Sequence, residues 1–210
     1  MLQQYDERNN DILIYVGDGL YKRSEARVSV FDSVVQGGDA VWEGLRLYRD
    51  GIFLLDRHLD RLFDSANAMH FRGIPDRSDV IEAIRQTLQA NKMETDVHIR
   101  LTLTRGEKIT SGMDPRLNAK GCCLIVLAEY KPLVYDNENG IRVLTSSIRR
   151  NAAQQLDSKM HHNNLINNIL AKIQANVAGM DAALMLDIHG FASELNGTNI
   201  FMLKRGRLLT

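Results

Sequence analysis

Val97-His98-Ile99-Arg100-Leu101-Thr102-Leu103-Thr104 alternates strictly between apolar and polar residues. A strand turns successive side chains to opposite faces, so this stretch reads as a β-strand that buries Val97, Ile99, Leu101 and Leu103. Upstream of it the period changes. Leu55, Leu59, Leu62, Ala66 and Met69 fall at spacings of 4, 3, 4 and 3, one apolar stripe of a helix. Gly73 and Pro75 stop that helix, and Ser78 reads as the N-cap of a second one, with Val80, Ile81, Ile84 and Leu88 on its buried face. Downstream, residues 122–127 form a continuous apolar run of the kind that a fully buried strand shows. Helices and strands thus come in runs rather than in strict alternation, which places the chain in the α+β class.

Further out, residues 12–16 before Gly17-Asp18-Gly19 predict a hairpin, and 40–48 with 52–55 around Arg49-Asp50-Gly51 predict another. Residues 27–31 alternate and are expected as a strand. Composition shifts at Lys131-Pro132 and Asp136-Asn137-Glu138-Asn139-Gly140, the best linker in the sequence. The expected organisation is a small α+β domain over 1–130, a linker over 131–140 and a second domain from 141 to 210. In the latter a helix is expected over 163–177, followed by strands at 182–186, 198–203 and 207–209.

Lys+Arg and Asp+Glu each total 26 among the 210 residues, which argues against a nucleic-acid binder held by bulk positive charge. No apolar run is long enough to cross a bilayer, and the polar N-terminal stretch 1–11 does not read as a secretion signal. The two cysteines, Cys122 and Cys123, are adjacent and cannot staple distant segments. A reduced, cytoplasmic protein without nucleic-acid or membrane partners is the expectation.

Four polar side chains stand out. Lys159 lies in the hydrogen-bond-rich run Asp157-Ser158-Lys159-Met160-His161-His162-Asn163-Asn164, ahead of an amphipathic helix. It reads as a solvated surface lysine or as a Schiff-base nucleophile. Arg61, one residue off the first helix stripe, is a solvated arginine or an anion clamp. Arg100, on the polar side of the alternating strand, suits a bidentate carboxylate or a sheet-surface ion pair. Glu194 is expected at a turn before a strand, where an exposed glutamate and a functional one look alike. The neighbours His161 and His162 point to different sides and have no third ligand nearby in sequence, so a metal site is not expected.

Together these segments resemble a known family, the class IV pyridoxal-phosphate aminotransferases of the branched-chain and D-amino-acid group. Val28-Ser29-Val30-Phe31-Asp32, Trp42-Glu43-Gly44-Leu45-Arg46, His58-Leu59-Asp60-Arg61-Leu62, Ile99-Arg100-Leu101 with Thr104-Arg105-Gly106, Lys159 with Asn163, and Glu194 with Asn199-Ile200-Phe201 follow the family's order. The resemblance implies a two-domain fold type IV aminotransferase, similar to D-amino-acid aminotransferase, with the second domain truncated at its C-terminus. It implies that Lys159 is catalytic and carries pyridoxal 5'-phosphate, that Arg61 holds the phosphate, and that Glu194 faces the pyridine nitrogen, with Asn199 also at the cofactor. Trp42 and one of Arg100 and Arg105 are implied at the substrate.

The implied reaction is ping-pong transfer of an amino group between a branched-chain-type amino acid and a 2-oxo acid such as 2-oxoglutarate, by a homodimer. D-amino acids, primary amines or an aminodeoxychorismate lyase reaction are the alternatives within the fold. A non-catalytic fragment or dimerising module is the alternative outside it. Gly37 and Asn164 stand where the family usually carries tyrosines.

Overall fold

The alternating strand is the middle of a sheet. In a computed structural model that describes residues 4–210, the first unit comprises residues 4–132 together with Lys159–Asn164. Residues 1–3, part of the polar N-terminal stretch, lie outside the described residues. The unit holds β1 (Leu13–Val16), β2 (Gly19–Lys22), α1 (Ser33–Gly37), β3 (Ala40–Tyr48), β4 (Gly51–Ile52), α2 (Leu55–Ala68), α3 (Arg77–Ala90), β5 (Val97–Thr104) and β6 (Cys123–Tyr130). The strands form a six-stranded antiparallel sheet in the order β2-β1-β6-β5-β3-β4.

β5 pairs along its full length with β3 (Ala40↔Thr104 to Leu47↔Val97) and with β6 (Val97↔Tyr130 to Thr104↔Cys123). Val97, Ile99, Leu101 and Leu103 are fully buried, as the alternation predicts. They pack with Leu59, Leu62 and Ala66 of α2 and with Val80, Ala83 and Ile84 of α3 in one core. The helices cover this face: α2 lies on β3, and α3 on β6 and β1.

Several expectations need correction. β6 is not buried on both sides: Leu124, Val126 and Ala128 are buried, while Cys123, Ile125 and Leu127 are only partly covered. The sheet carries helices on one face, so a continuous apolar run here still serves a half-covered strand. Residues 27–31 form no strand; the pairing here is confined to the Phe31 carbonyl, which accepts from Lys108 N–H, and an Asp32–Glu107 bridge, and Val30 is exposed. The second helix begins at Arg77, with Asp76 rather than Ser78 at its N-cap position, because Asp76 is extended and its carbonyl already accepts the N–H groups of Asp79 and Val80. Gly106 is needed as such: its φ is +94°, and a Cβ would overlap the carbonyl of Gly121.

The second unit comprises Leu133–Ser158 and Leu165–Thr210. It contains β7 (Val143–Thr145), α4 (Ala153–Leu156), α5 (Ile166–Val177), β8 (Ala182–Leu186), β9 (Ala192–Leu195), β10 (Met202–Lys204) and β11 (Arg207–Leu209). β7 and β8 are parallel, β9 joins β8 antiparallel, and β10 and β11 form a separate hairpin. β9 is absent from the sequence reading, and the strand expected over 198–203 is confined to β10. The helix expected from 163 begins at Ile166, because the preceding residues pair with the first unit's sheet instead.

α5 buries its small side. Ala171 and Ala175 pack with Ala183 and Met185, whereas Ile166, Ile169, Leu170, Ile173 and Val177 are exposed, Val177 at 85%. No helix among the described residues is long and apolar enough to cross a membrane.

Candidate active site

The sheet order leaves part of β3 without a strand on one side, because β4 pairs only with Leu47 and Tyr48. The segment that follows Lys159 fills this edge. Trp42 N donates to the His161 carbonyl at 3.0 Å, Asn163 N donates to the Ala40 carbonyl at 2.7 Å, and Val41 bridges His162. Side chains reinforce the seam: Trp42 Nε1 donates to the His162 carbonyl at 3.1 Å, His161 N donates to Ser65 Oγ at 3.0 Å, and the Trp42 and His161 rings stack with centroids 4.5 Å apart. Lys159 sits in the turn just before this seam, with its side chain exposed. Backbone pairing two residues away therefore fixes where the lysine emerges.

Glu43 lies on the core face of β3, between Val41 and Leu45, and its side chain is completely buried. Arg61 of α2 grips it at both oxygens, Nε to Oε1 at 2.6 Å and Nη2 to Oε2 at 2.5 Å. His58, one turn earlier on α2, reaches Oε2 through Nδ1 at 2.8 Å, and His161 Nδ1 lies 3.3 Å from Oε1. His161 Nδ1 also faces the Trp42 carbonyl at 2.5 Å; with oxygen acceptors alone around it, this nitrogen carries the proton. Burial pushes the Glu43 carboxyl up, but the hydrogen bonds from Arg61, His161 and His58 outweigh it and hold the pKa down at about 2. The Arg61 side chain is half exposed, and its Nη1 has no hydrogen-bond partner among the described residues.

The opposite face of the sheet carries Trp42, Gly44 and Arg46 from β3 beside His98 and Arg100 from β5. Arg100 lies over the Trp42 ring at 3.6 Å and donates Nη2 to Asn163 Oδ1 at 2.6 Å. It has no carboxylate partner among the described residues, and burial pulls its pKa down to about 10, so it remains a cation at neutral pH. Burial, together with Lys131, Arg46 and Arg100, lowers His98 to about 4 and leaves it neutral. A Cβ at Gly44 would stand 3.5 Å from both His98 Nε2 and the Trp42 ring, an ordinary contact distance, so Gly44 lies between these two groups.

Arg105 is a different kind of arginine. Nε and Nη2 bind the Asp39 carboxylate at 2.6 and 3.2 Å, Nη1 and Nη2 donate to the carbonyls of His70 and Met69, and the guanidinium rests on Phe71. Its donors are committed within its own unit.

In the second unit Glu194 lies within β9, opposite Met185, rather than at a turn before a strand. Arg150 holds Glu194 at 2.7 Å and is itself steadied by Asn168 Oδ1 at 2.9 Å. Asn199 lies in the exposed loop after β9.

A family model described as amino-transferase class IV matches residues 40–210. The chain belongs to the class IV aminotransferases. Among curated relatives, branched-chain-amino-acid aminotransferase-like protein 2 of Arabidopsis thaliana is 59% identical over 96% of this chain and 36% of its own length. A putative branched-chain-amino-acid aminotransferase of Methanocaldococcus jannaschii is 39% identical over 94% of this chain and 67% of its own length. The crystal structure of the Escherichia coli branched-chain amino acid aminotransferase superposes with a TM-score of 0.85 at 26% identity, over 94% of this chain and 67% of that one. The chain thus spans about a third of the first relative and two thirds of the others. These matches carry the fold type IV aminotransferase architecture expected from the resemblance.

Within this class IV chain, the structure places Trp42 on β3, Arg61 on α2, Arg100 on β5 and Lys159 just before the docked segment, all in the first unit, and Glu194 and Asn199 in the second. Three contributors were not given these roles from sequence: Glu43 as the hub, His161, weighed there only as a metal ligand, as its link to the lysine segment, and His98 on the open face. For Glu43 a signal exists. It is the lone carboxylate in the buried series Val41, Glu43, Leu45, Leu47, where alternation calls for an apolar residue. His161 and His98 gave none, because their partners come from distant segments.

Proposed function

We propose that this chain binds pyridoxal 5'-phosphate and catalyses amino-group transfer between a branched-chain-type amino acid and a 2-oxo acid such as 2-oxoglutarate. The observation that carries this reading is the docking of the Lys159 segment onto β3, beside an arginine with a spare donor and a desolvated arginine with no carboxylate. The residues present fit the cofactor: Arg61 has Nη1 left for phosphate oxygens, and Glu194 is a placed carboxylate suited to a ring N–H. Residues named for the cofactor in the sequence, Arg61, Lys159, Glu194 and Asn199, keep those proposed roles.

When bound, the cofactor supplies an aldehyde that condenses with amines and a protonated ring that draws electrons from the substrate Cα. Lys159 Nζ would be the amine that carries it at rest, and once displaced would take the proton from the substrate Cα and deliver it to the carbon that had been the aldehyde. Glu194 holds a proton on the ring nitrogen. Arg100 receives the substrate carboxylate, since it alone of the two candidate arginines has uncommitted donors, while Trp42 walls the same face. Following the family resemblance, we assign the working unit as a homodimer located in the cytoplasm; sedimentation velocity and cell fractionation test these two points.

The test starts with colour. Purified protein mixed with pyridoxal phosphate should turn yellow, and Lys159→Ala should abolish the absorbance. A panel of donors with 2-oxoglutarate should then favour L-leucine over D-alanine. A chain that takes up no cofactor would instead be the non-catalytic module, and a preference for D-alanine would overturn the substrate.

A further inference from the structure

An ionised carboxylate buried in an apolar sheet face is expensive, and well-packed apolar residues would hold β3 against α2 at least as well. Glu43 is nevertheless placed where three donors from two distant segments converge: His58 and Arg61, one turn apart on α2, and His161, two residues after Lys159. It takes the Nε and Nη2 edge of Arg61 and so turns Nη1 outward as the remaining donor. Its second link is to a histidine whose backbone is already paired to β3. One carboxylate therefore sets both the aim of the guanidinium and the seat of the lysine-bearing segment.

We propose that Glu43 is a positioning residue, orienting Arg61 toward an anionic phosphate while tying the Lys159 segment to the same point. The inference rests on the function proposed above for its phosphate half; the tether is a property of the chain alone. Arg61 reaches the anion, and Glu43 acts only through Arg61 and His161. Loss of Glu43 thus loosens two parts of the site together, although it touches neither substrate nor cofactor.

Glu43→Gln keeps the volume but turns an amide N–H2 toward three donors. His161→Phe keeps a ring to stack on Trp42 and removes the Nδ1 contacts to Glu43 and to the Trp42 carbonyl while leaving the backbone pairing to β3, and it serves where Glu43→Gln fails to fold. Two readouts are needed: amide hydrogen exchange over residues 159–164 without cofactor, and the dissociation constant for pyridoxal phosphate read from its absorbance. Glu43→Gln should speed exchange at 160–163 while β5 stays protected. It should also weaken cofactor binding about tenfold or more, the scale seen when a group that orients a ligand-binding side chain is lost. In an Arg61→Lys background, which lacks the bidentate grip, adding Glu43→Gln should cost little further affinity.

Unchanged exchange at 160–163 in both variants overturns the inference, as do losses of affinity that simply add. If the unmodified chain takes up no pyridoxal phosphate, the proposed function fails; the Glu43 tether is then decided by the exchange data alone.

Discussion

Arg100 and Arg105 lie five residues apart and carry the same charge, yet their surroundings set opposite roles. Arg105 is 8% exposed with Asp39 bidentate against it, so it stabilises its unit and has nothing to offer a ligand. Arg100 is desolvated over Trp42 with only an amide oxygen for company, an arrangement that costs stability unless an anion arrives. Arg105→Ala should therefore cost about 3–5 kcal/mol in urea unfolding, because Asp39 loses its partner. Arg100→Gln should change unfolding by less than about 1 kcal/mol or stabilise the chain, while raising KM for the amino acid about tenfold or more. A large loss of stability in Arg100→Gln with KM unchanged would reverse the assignment. Sequence alone could not separate the two arginines, one within β5 and one just after it, since only Asp39, Met69 and His70, brought in by the fold, reveal which one is committed.

At the scale of elements, α5 shows how periodicity finds a helix without finding which side is buried. The stripe Ile166, Ile169, Leu170, Ile173 and Val177 is the stronger hydrophobic signal, but Ala171 and Ala175 are the residues that touch the sheet. Small residues allow close approach to β8, and the large stripe is left as an exposed patch. Ala175→Leu should overpack this contact and cost about 1–3 kcal/mol in chemical denaturation. Val177→Lys, at an exposed last turn where a cation suits the helix dipole, should stay within about 0.5 kcal/mol of the parent. The reverse ranking would mean that the large stripe is covered. The central strand β5 was legible for the opposite reason: both of its neighbours are full-length strands, so alternation and burial coincide. The start of α5 and the strand β9 were not, since the residues before α5 are drawn to the edge of β3 and β9 depends on pairing with β8.

For the whole chain, shifted acids occur in both units, Asp181 and Asp187 in the second among them, but the buried groups that bear on acid stability lie in the first. Glu43 and His98 belong to the first unit, as does Trp42, the only tryptophan. The sign follows from linkage. His98 is lowered to about 4, so between its ordinary value near 6.5 and 4 the unfolded chain binds the extra proton. Its contribution to stability is complete above pH 6.5 and is lost as pH falls toward 4. Glu43, held at about 2 against an ordinary 4.5, adds a second loss over pH 4.5 to 2. Glu82 and Asp114 are also lowered to about 2, but they lie at the surface, where screening leaves their ion pairs little weight. Because Trp42 stacks on His161 and carries the seam to the Lys159 segment, its emission reports release of that segment. Acid titration should therefore lower the urea midpoint followed by tryptophan fluorescence progressively below pH 6.5 and more steeply below 4.5. His98→Phe should flatten the upper part of that decline and leave the lower part, which depends on Glu43. A midpoint independent of pH between 6.5 and 4 in the parent chain would show that His98 is not held neutral on the open sheet face, and the cluster of Arg46, Arg100 and Lys131 around it would then need another arrangement.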